Sequence, residues 1–110
     1  MRTMGYITEG QEPPKRISAR PTDKGAPVMV AASLAFRWYD EIERGAKRVE
    51  YRDITEYWSR LLWDGGRNRR VKSIKFTRGY TQTKMIWEVR RIVRDEREGL
   101  FEIHLGKRIA

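Results

Sequence analysis

The order of apolar patterns along this 110-residue chain predicts an α+β protein: a small, curled, barrel-like sheet of about five strands, mostly antiparallel, with two short helices. Three observations carry that expectation. The patterns run strand, helix, strand, helix, then three strands in succession. Short turns rich in glycine separate the last three, as antiparallel hairpins require. The patterned part covers only about 84 residues, too few for a doubly wound parallel sheet with its crossover helices.

Residues 1–26 hold Pro13, Pro14 and Pro21 with Gly5, Gly10 and Gly25 and show no sustained period, so they read as a flexible arm. Residues 27–110 form the predicted domain. Val28 to Ala32 is a short apolar run of strand type. Leu34, Trp38 and Ile42 then recur every four residues, with Ala35 and Tyr39 beside them, which predicts one apolar helical face. Ser33 is the expected cap and Gly45 the expected left-handed stop. From Arg48 to Asp53, Val49 and Tyr51 alternate with Glu50 and Arg52, so the carboxylate and the guanidinium share one face of a strand. Tyr57, Trp58, Leu61 and Leu62 predict a second helix, capped by Thr55 and ended by Gly65-Gly66. Val71–Thr77 and Met85–Val93 read as strands joined at Arg78-Gly79-Tyr80. In the second of these, Met85, Trp87 and Val89 share one face and Ile86 and Ile92 the other. Phe101, Ile103 and Leu105 alternate with Glu102 and His104 in a last strand.

Composition narrows the chemistry. No cysteine is present, which excludes disulfides, thiol catalysis and cysteine-ligated zinc. One histidine, His104, is too few for a multi-histidine metal cage, and no metal or cofactor is expected. The longest uncharged run, Gly25 to Phe36, falls short of the ~20 apolar residues that span a bilayer. No signal-peptide core is seen at the N-terminus, so a cytoplasmic protein without membrane contact is expected. Twenty-four Lys and Arg against fifteen Asp and Glu give a net charge of +9 and a pI near 10.3. Such an excess favours polyanionic partners through phosphate attraction and counterion release. Arg67, Arg69, Arg70, Lys72, Lys75 and Arg78 form a run without an acid and are the candidate phosphate contacts.

The sharpest local feature is Gly45-Ala46-Lys47-Arg48-Val49-Glu50-Tyr51-Arg52. It resembles the G-x-K-x-x-E-x-R signature of the ASCH domain, within the PUA-like superfamily of small β-barrels. Trp38-Tyr39-Asp40, Asp53-Ile54-Thr55-Glu56-Tyr57-Trp58, Thr77-Arg78-Gly79-Tyr80-Thr81 and Glu102-Ile103-His104-Leu105-Gly106-Lys107 extend the likeness to small prokaryotic and phage-type members, over about residues 28–108. The resemblance implies a pseudo-barrel whose cleft is floored by Gly45, Lys47, Glu50 and Arg52, in proteins that handle RNA or modified nucleosides. Some members are ribonucleases and some are amidohydrolases acting on N4-acylated cytidine. In the amidohydrolase branch the signature lysine is catalytic, which carries over to Lys47. That branch has threonine where this chain has Glu50, and no residue here matches its further catalytic glutamate.

The residues themselves allow several roles. Lys47 can clamp a phosphate, or act as a base if burial lowers its pKa. Glu50 and Arg52 can touch a ligand directly or form an ion pair that orients Lys47. A second constellation, Thr77-Arg78-Gly79-Tyr80-Thr81-Gln82-Thr83-Lys84, is either an ordinary polar hairpin turn or a nucleic-acid contact. In the second case Arg78 and Lys84 would bind phosphate and Tyr80 would stack on an unpaired base. His104 is a hydrogen-bonded structural residue or a proton carrier. The four tryptophans are expected in the core, with Trp63 the most exposed. The resulting expectation is a monomeric domain that binds RNA or a nucleotide in a basic cleft. An enzyme of the same fold using Lys47 and Glu50, and a protein-interaction adaptor, are the alternatives.

Overall fold

The computed structural model describes residues 12–64 and 67–110. Its elements are β1 (Arg16–Ala19), β2 (Val28–Leu34), α1 (Phe36–Glu43), β3 (Val49–Asp53), α2 (Glu56–Leu62), β4 (Trp63–Asp64), β5 (Arg67–Asn68), β6 (Val71–Arg78), β7 (Lys84–Asp95) and β8 (Leu100–Arg108). Strands β2, β6, β7, β8 and β3 are neighbours in that order and curl into a half-barrel. All pairings are antiparallel except β2 with β6. A two-stranded ribbon, β4 with β5, stands apart. No helix among the described residues is long and apolar enough to cross a membrane.

The inner face of the sheet is built by alternation. Val30, Ala32 and Leu34 of β2, Ile74 and Phe76 of β6, and Phe101, Ile103 and Leu105 of β8 are buried, and Tyr39, Ile42 and Leu62 of the helices pack with them. The alternation of β2 runs on through Leu34, so α1 starts at Phe36 rather than at the expected Ser33 cap. Its Ncap is Ala35, which has no side-chain bond to the helix. This shift moves Leu34 out of the helical stripe and leaves Trp38 at the surface, 40 % exposed, while Tyr39 and Ile42 are buried. Gly45 adopts φ +80° and ends the turn, as expected. Thr55 caps α2, its hydroxyl accepting from the Trp58 N–H at 3.1 Å. That helix ends at Leu62 because Trp63 is extended; Gly65-Gly66, the expected stop, lies outside the described residues.

Three further expectations are corrected. Simple alternation predicts Ile92 on the outer face of its strand. The register shift between Val89 and Arg91, which leaves Arg90 as an extra residue on β7, reverses its alternation, so that Ile92 is buried beside Val93. The tryptophan at the surface is Trp38; Trp63 packs on Phe101, its ring centroid 6.1 Å away. The expected arm also contains a sheet strand. β6 pairs with the first part of β7, from Lys84 to Glu88, and β1 pairs with Ile92 to Asp95. β1 therefore supplies backbone partners where β6 has left off. Residues 1–11 of the expected arm lie outside the described residues.

Candidate functional site

The two edges of the half-barrel, β2 and β3, face each other without a backbone ladder between them. The signature side chains occupy this seam. Glu50 and Arg52 alternate with Tyr51, and their cross-strand partners Ile103 and Phe101 are core residues. Both charged side chains therefore point inward, and Tyr51 points out. The Arg52 guanidinium donates to Glu50 Oε2 at 2.8 Å and to the Ser33 carbonyl of β2 at 3.0 Å. One side chain thus joins the two sheet edges. Its planar group also lies 5.2 Å from the Trp58 ring.

Glu50 is the hub. Its side chain is only 8 % exposed, and its second oxygen accepts from Lys47 Nζ at 2.9 Å. Gly45 turns the chain back from α1, and the backbone N–H groups of Ala46 and Lys47 donate to the Glu41 carbonyl. This fixes Lys47 at the lip of the seam. The ammonium lies 4.8 Å from the Trp38 ring and 5.4 Å from the Tyr51 ring. Trp38, Glu41, Lys47, Arg48, Glu50 and Tyr51 line an open pocket of about 660 Å³ along the free edge of β3. Its wall thus combines two cations, Lys47 held by the buried Glu50 carboxylate and Arg48 beside it, with the Glu41 carboxylate and two half-exposed aromatic rings.

Other predicted residues lie elsewhere. Arg78 donates both to Asp40 Oδ1 at 2.9 Å and to Oδ2 at 3.0 Å, and its guanidinium stacks 4.1 Å from the Phe36 ring. The hydrogen bonds from Arg78 hold the Asp40 carboxyl below the usual carboxylate range. Asp40 is two residues from Trp38, about 200° around the helix, so Arg78 is committed to the opposite side of α1 from the pocket. Thr77 pairs with Ser33 and Lys84 at the end of β6, and Tyr80 stands fully exposed at the tip of the turn. Thr77, Arg78, Tyr80 and Lys84 are not among the pocket's lining residues.

The basic run is also dispersed. Arg69 donates to the Arg60 carbonyl at 2.9 Å, Arg70 to the Ala26 carbonyl at 2.9 Å, and Lys72 pairs with Asp23 at 3.0 Å. The Arg69 guanidinium thus ties the β5–β6 link to α2, that of Arg70 ties it to the segment before β2, and Lys72 shares its charge with an acid. Lys75 is half-buried on β6, and the Arg67 side chain lies outside the described residues. His104 Nε2 donates to Glu102 Oε1 at 2.9 Å, which Arg16 also holds at 2.8 Å. Burial raises the Glu102 carboxyl, but the hydrogen bonds from His104 and Arg16 outweigh it, and the net shift is downward. No group of three or more His, Cys, Asp or Glu residues that could hold a metal occurs among the described residues.

Sequence reasoning missed Trp38, which its helical spacing assigned to the core, and did not single out Tyr51 or Arg48. The alternation around Glu50 did carry a signal for Tyr51, since an inward Glu50 requires an outward Tyr51. No family model, curated protein or solved structure matches this chain.

Proposed function

We propose that this chain is an ASCH-like domain that binds RNA or a nucleotide in the pocket at the seam, with Lys47 as the anion contact. The observation that carries the reading is the Lys47 ammonium at the pocket wall, 4.8 Å from the Trp38 ring and 5.4 Å from the Tyr51 ring. A phosphate needs a cation, and a base needs a flat apolar surface. Base–aromatic stacking contributes about 1–3 kcal/mol, and a hydrogen bond to a charged group about 1.5–3 kcal/mol. Glu50 and Arg52 act here as the support. They fix the ammonium in position without neutralising the site, because two cations share one carboxylate. The net charge of +9 adds long-range attraction.

The test is titration of a single-stranded RNA at several salt concentrations. Saturable binding that weakens with salt, and weakens about tenfold to hundredfold in Lys47→Ala, is expected. Binding that is absent at low salt, or indifferent to Lys47→Ala, overturns the reading. The Lys47–Glu50 contact favours a second reading, an enzyme of the same fold, because it joins a proton donor and acceptor at one wall. Incubation with total RNA and a panel of acylated nucleosides, with products read by mass spectrometry, tests it; an enzyme loses turnover in Lys47→Ala.

A further inference from the structure

On the outer face of the sheet, next to the seam, lies a second pocket of about 210 Å³ lined by Arg48, Val49, Arg90, Arg91, His104 and Leu105. Three of its six lining residues are arginines, and none is an acid. The sheet itself creates the cluster. Arg91 is the cross-strand partner of His104, and His104 is the partner of Val49, so the three form one row across β7, β8 and β3. Their neighbours Ile103 and Leu105 point into the core, so this row points out. The register shifts around Val89 break the ladder just before Arg91 and present Arg90 and Arg91 together.

Contacts with the end of β8 hold the Arg48 guanidinium and the stem of Arg90. Arg48 donates to the Gly106 carbonyl at 3.0 Å, which lays its guanidinium across the end of β8. Gly106 is buried and has no side chain, and the Glu88 carboxylate and Arg90 Cγ together fill the space its Cβ would take. Acids in the neighbourhood are already engaged. Glu102 is held by Arg16 and His104, and Glu88 accepts from the Lys107 N–H at 3.2 Å. Neither Arg90 nor Arg91 has a carboxylate within ion-pair distance among the described residues. A concave group of guanidinium forks without a counter-ion suits a planar or tetrahedral oxyanion, which such forks bind through paired N–H donors.

The two pockets adjoin, since Arg48 and Val49 line both. We propose that Arg48, Arg90 and Arg91, with His104 beside them, form a phosphate-binding subsite for the nucleotide next to the one in the seam. The ligand is then a single-stranded oligonucleotide and not an isolated nucleotide, and its backbone crosses the edge of β3 at Arg48. This rests on the nucleic-acid reading of the seam pocket. It adds a second anchoring point, to which β7 contributes Arg90 and Arg91 and β8 contributes His104.

The experiment compares a single mononucleotide with a fluorescent oligo-uridine of about ten residues, each titrated at several salt concentrations. Four proteins are used: the unaltered chain, Arg90→Gln with Arg91→Gln, Lys47→Ala, and a control in which Arg60→Gln and Lys24→Gln remove two charges elsewhere. Thermal midpoints verify that each variant is folded, and the single variant Arg90→Gln, at an exposed position, replaces the double one if it is not. The Arg90/Arg91 variant is expected to bind the oligonucleotide at least about tenfold more weakly. Its salt slope should fall by about 0.7 for each phosphate it no longer neutralises. Mononucleotide binding and the control protein should be unchanged. If Lys47→Ala weakens oligonucleotide binding but the Arg90/Arg91 variant matches the control, the subsite is wrong and the seam pocket stands. If the oligonucleotide binds but Lys47→Ala has no effect, the seam reading fails. If neither ligand binds the unaltered chain, both fail.

Discussion

Replacing Glu50 by Gln removes the one acid that two cations share, and its cost can be worked from the geometry. The amide keeps the size of the carboxylate, so packing changes little. It offers a single neutral acceptor, and its NH₂ faces either Lys47 or Arg52, which donate to the two oxygens at 2.9 and 2.8 Å. Removing one partner of a buried ion pair costs roughly 3–5 kcal/mol, because the other charge stays buried and uncompensated. Lys47 and Arg52 are 17 % and 22 % exposed, so water relieves part of the penalty, and the low end of about 3 kcal/mol applies. For a domain of this size that corresponds to a fall in Tm of roughly 12 °C, at about 4 °C per kcal/mol. Thermal unfolding followed by circular dichroism gives the value. Glu56→Gln is the control: its pairing with Arg60 at 3.7 Å is largely in solvent and should cost under about 0.5 kcal/mol. A triple replacement, Lys47→Met with Glu50→Leu and Arg52→Met, should recover most of the stability, since apolar groups of similar volume often substitute well for buried charges. It should bind RNA about tenfold to hundredfold more weakly, as Lys47→Ala does. A Glu50→Gln midpoint within about 2 °C of the Glu56→Gln control, under about 0.5 kcal/mol, would refute the buried hub.

Three other outcomes follow from the same geometry. Trp38→Ala should leave the thermal midpoint nearly unchanged, because the ring is at the surface. It should weaken RNA binding by roughly fivefold to 150-fold, the equivalent of one base left unstacked, and titration of the variant measures this. Gly79→Ala should destabilise the domain by about 1–2 kcal/mol in denaturant melts, since Gly79 has φ +57° and its added methyl would meet the Phe36 ring. The Asp95 carboxyl lies below its ordinary range, held there by the Arg97 side chain and by the backbone N–H groups of Glu98 and Arg97. A carboxyl lowered in the folded state adds stability above its unfolded pKa and loses it as pH falls through the folded one. Stability of the unaltered protein should therefore decline below about pH 4. Asp95→Asn should flatten that limb in melts between about pH 2 and 6, and an identical slope in both proteins counts against the assignment.

Much of the sheet could be foreseen because its strands bury one face and alternate, as in Phe101, Ile103 and Leu105. A period of two likewise puts Glu50 and Arg52 on one face. Other features have no such periodic signature. The boundary between β2 and α1 hinges on Leu34, which suits the end of a strand and the start of a helical stripe equally well. The bulge of β7 at Arg90 reverses the parity of Ile92, and no residue type in Glu88-Val89-Arg90-Arg91 demands it. β1 exists because the second half of β7 needs backbone partners, a requirement invisible within the sequence of residues 16–19. In the same way the basic run 67–78 reads as one patch along the chain. The carbonyls of Arg60 and Ala26, and the acids Asp23 and Asp40, draw its members to separate places.

The single parallel pairing sets an order of assembly. Val30 lies beside Ile74 and Ala32 beside Phe76, although the chain between them must first make α1, β3 and α2. Closing so long a loop costs entropy before any contact repays it, whereas the β6–β7 and β7–β8 hairpins close over short turns. The C-terminal meander should form early and β2 should dock on it late. During synthesis the apolar face of β2 then stays uncovered until β6, β7 and β8 have left the ribosome.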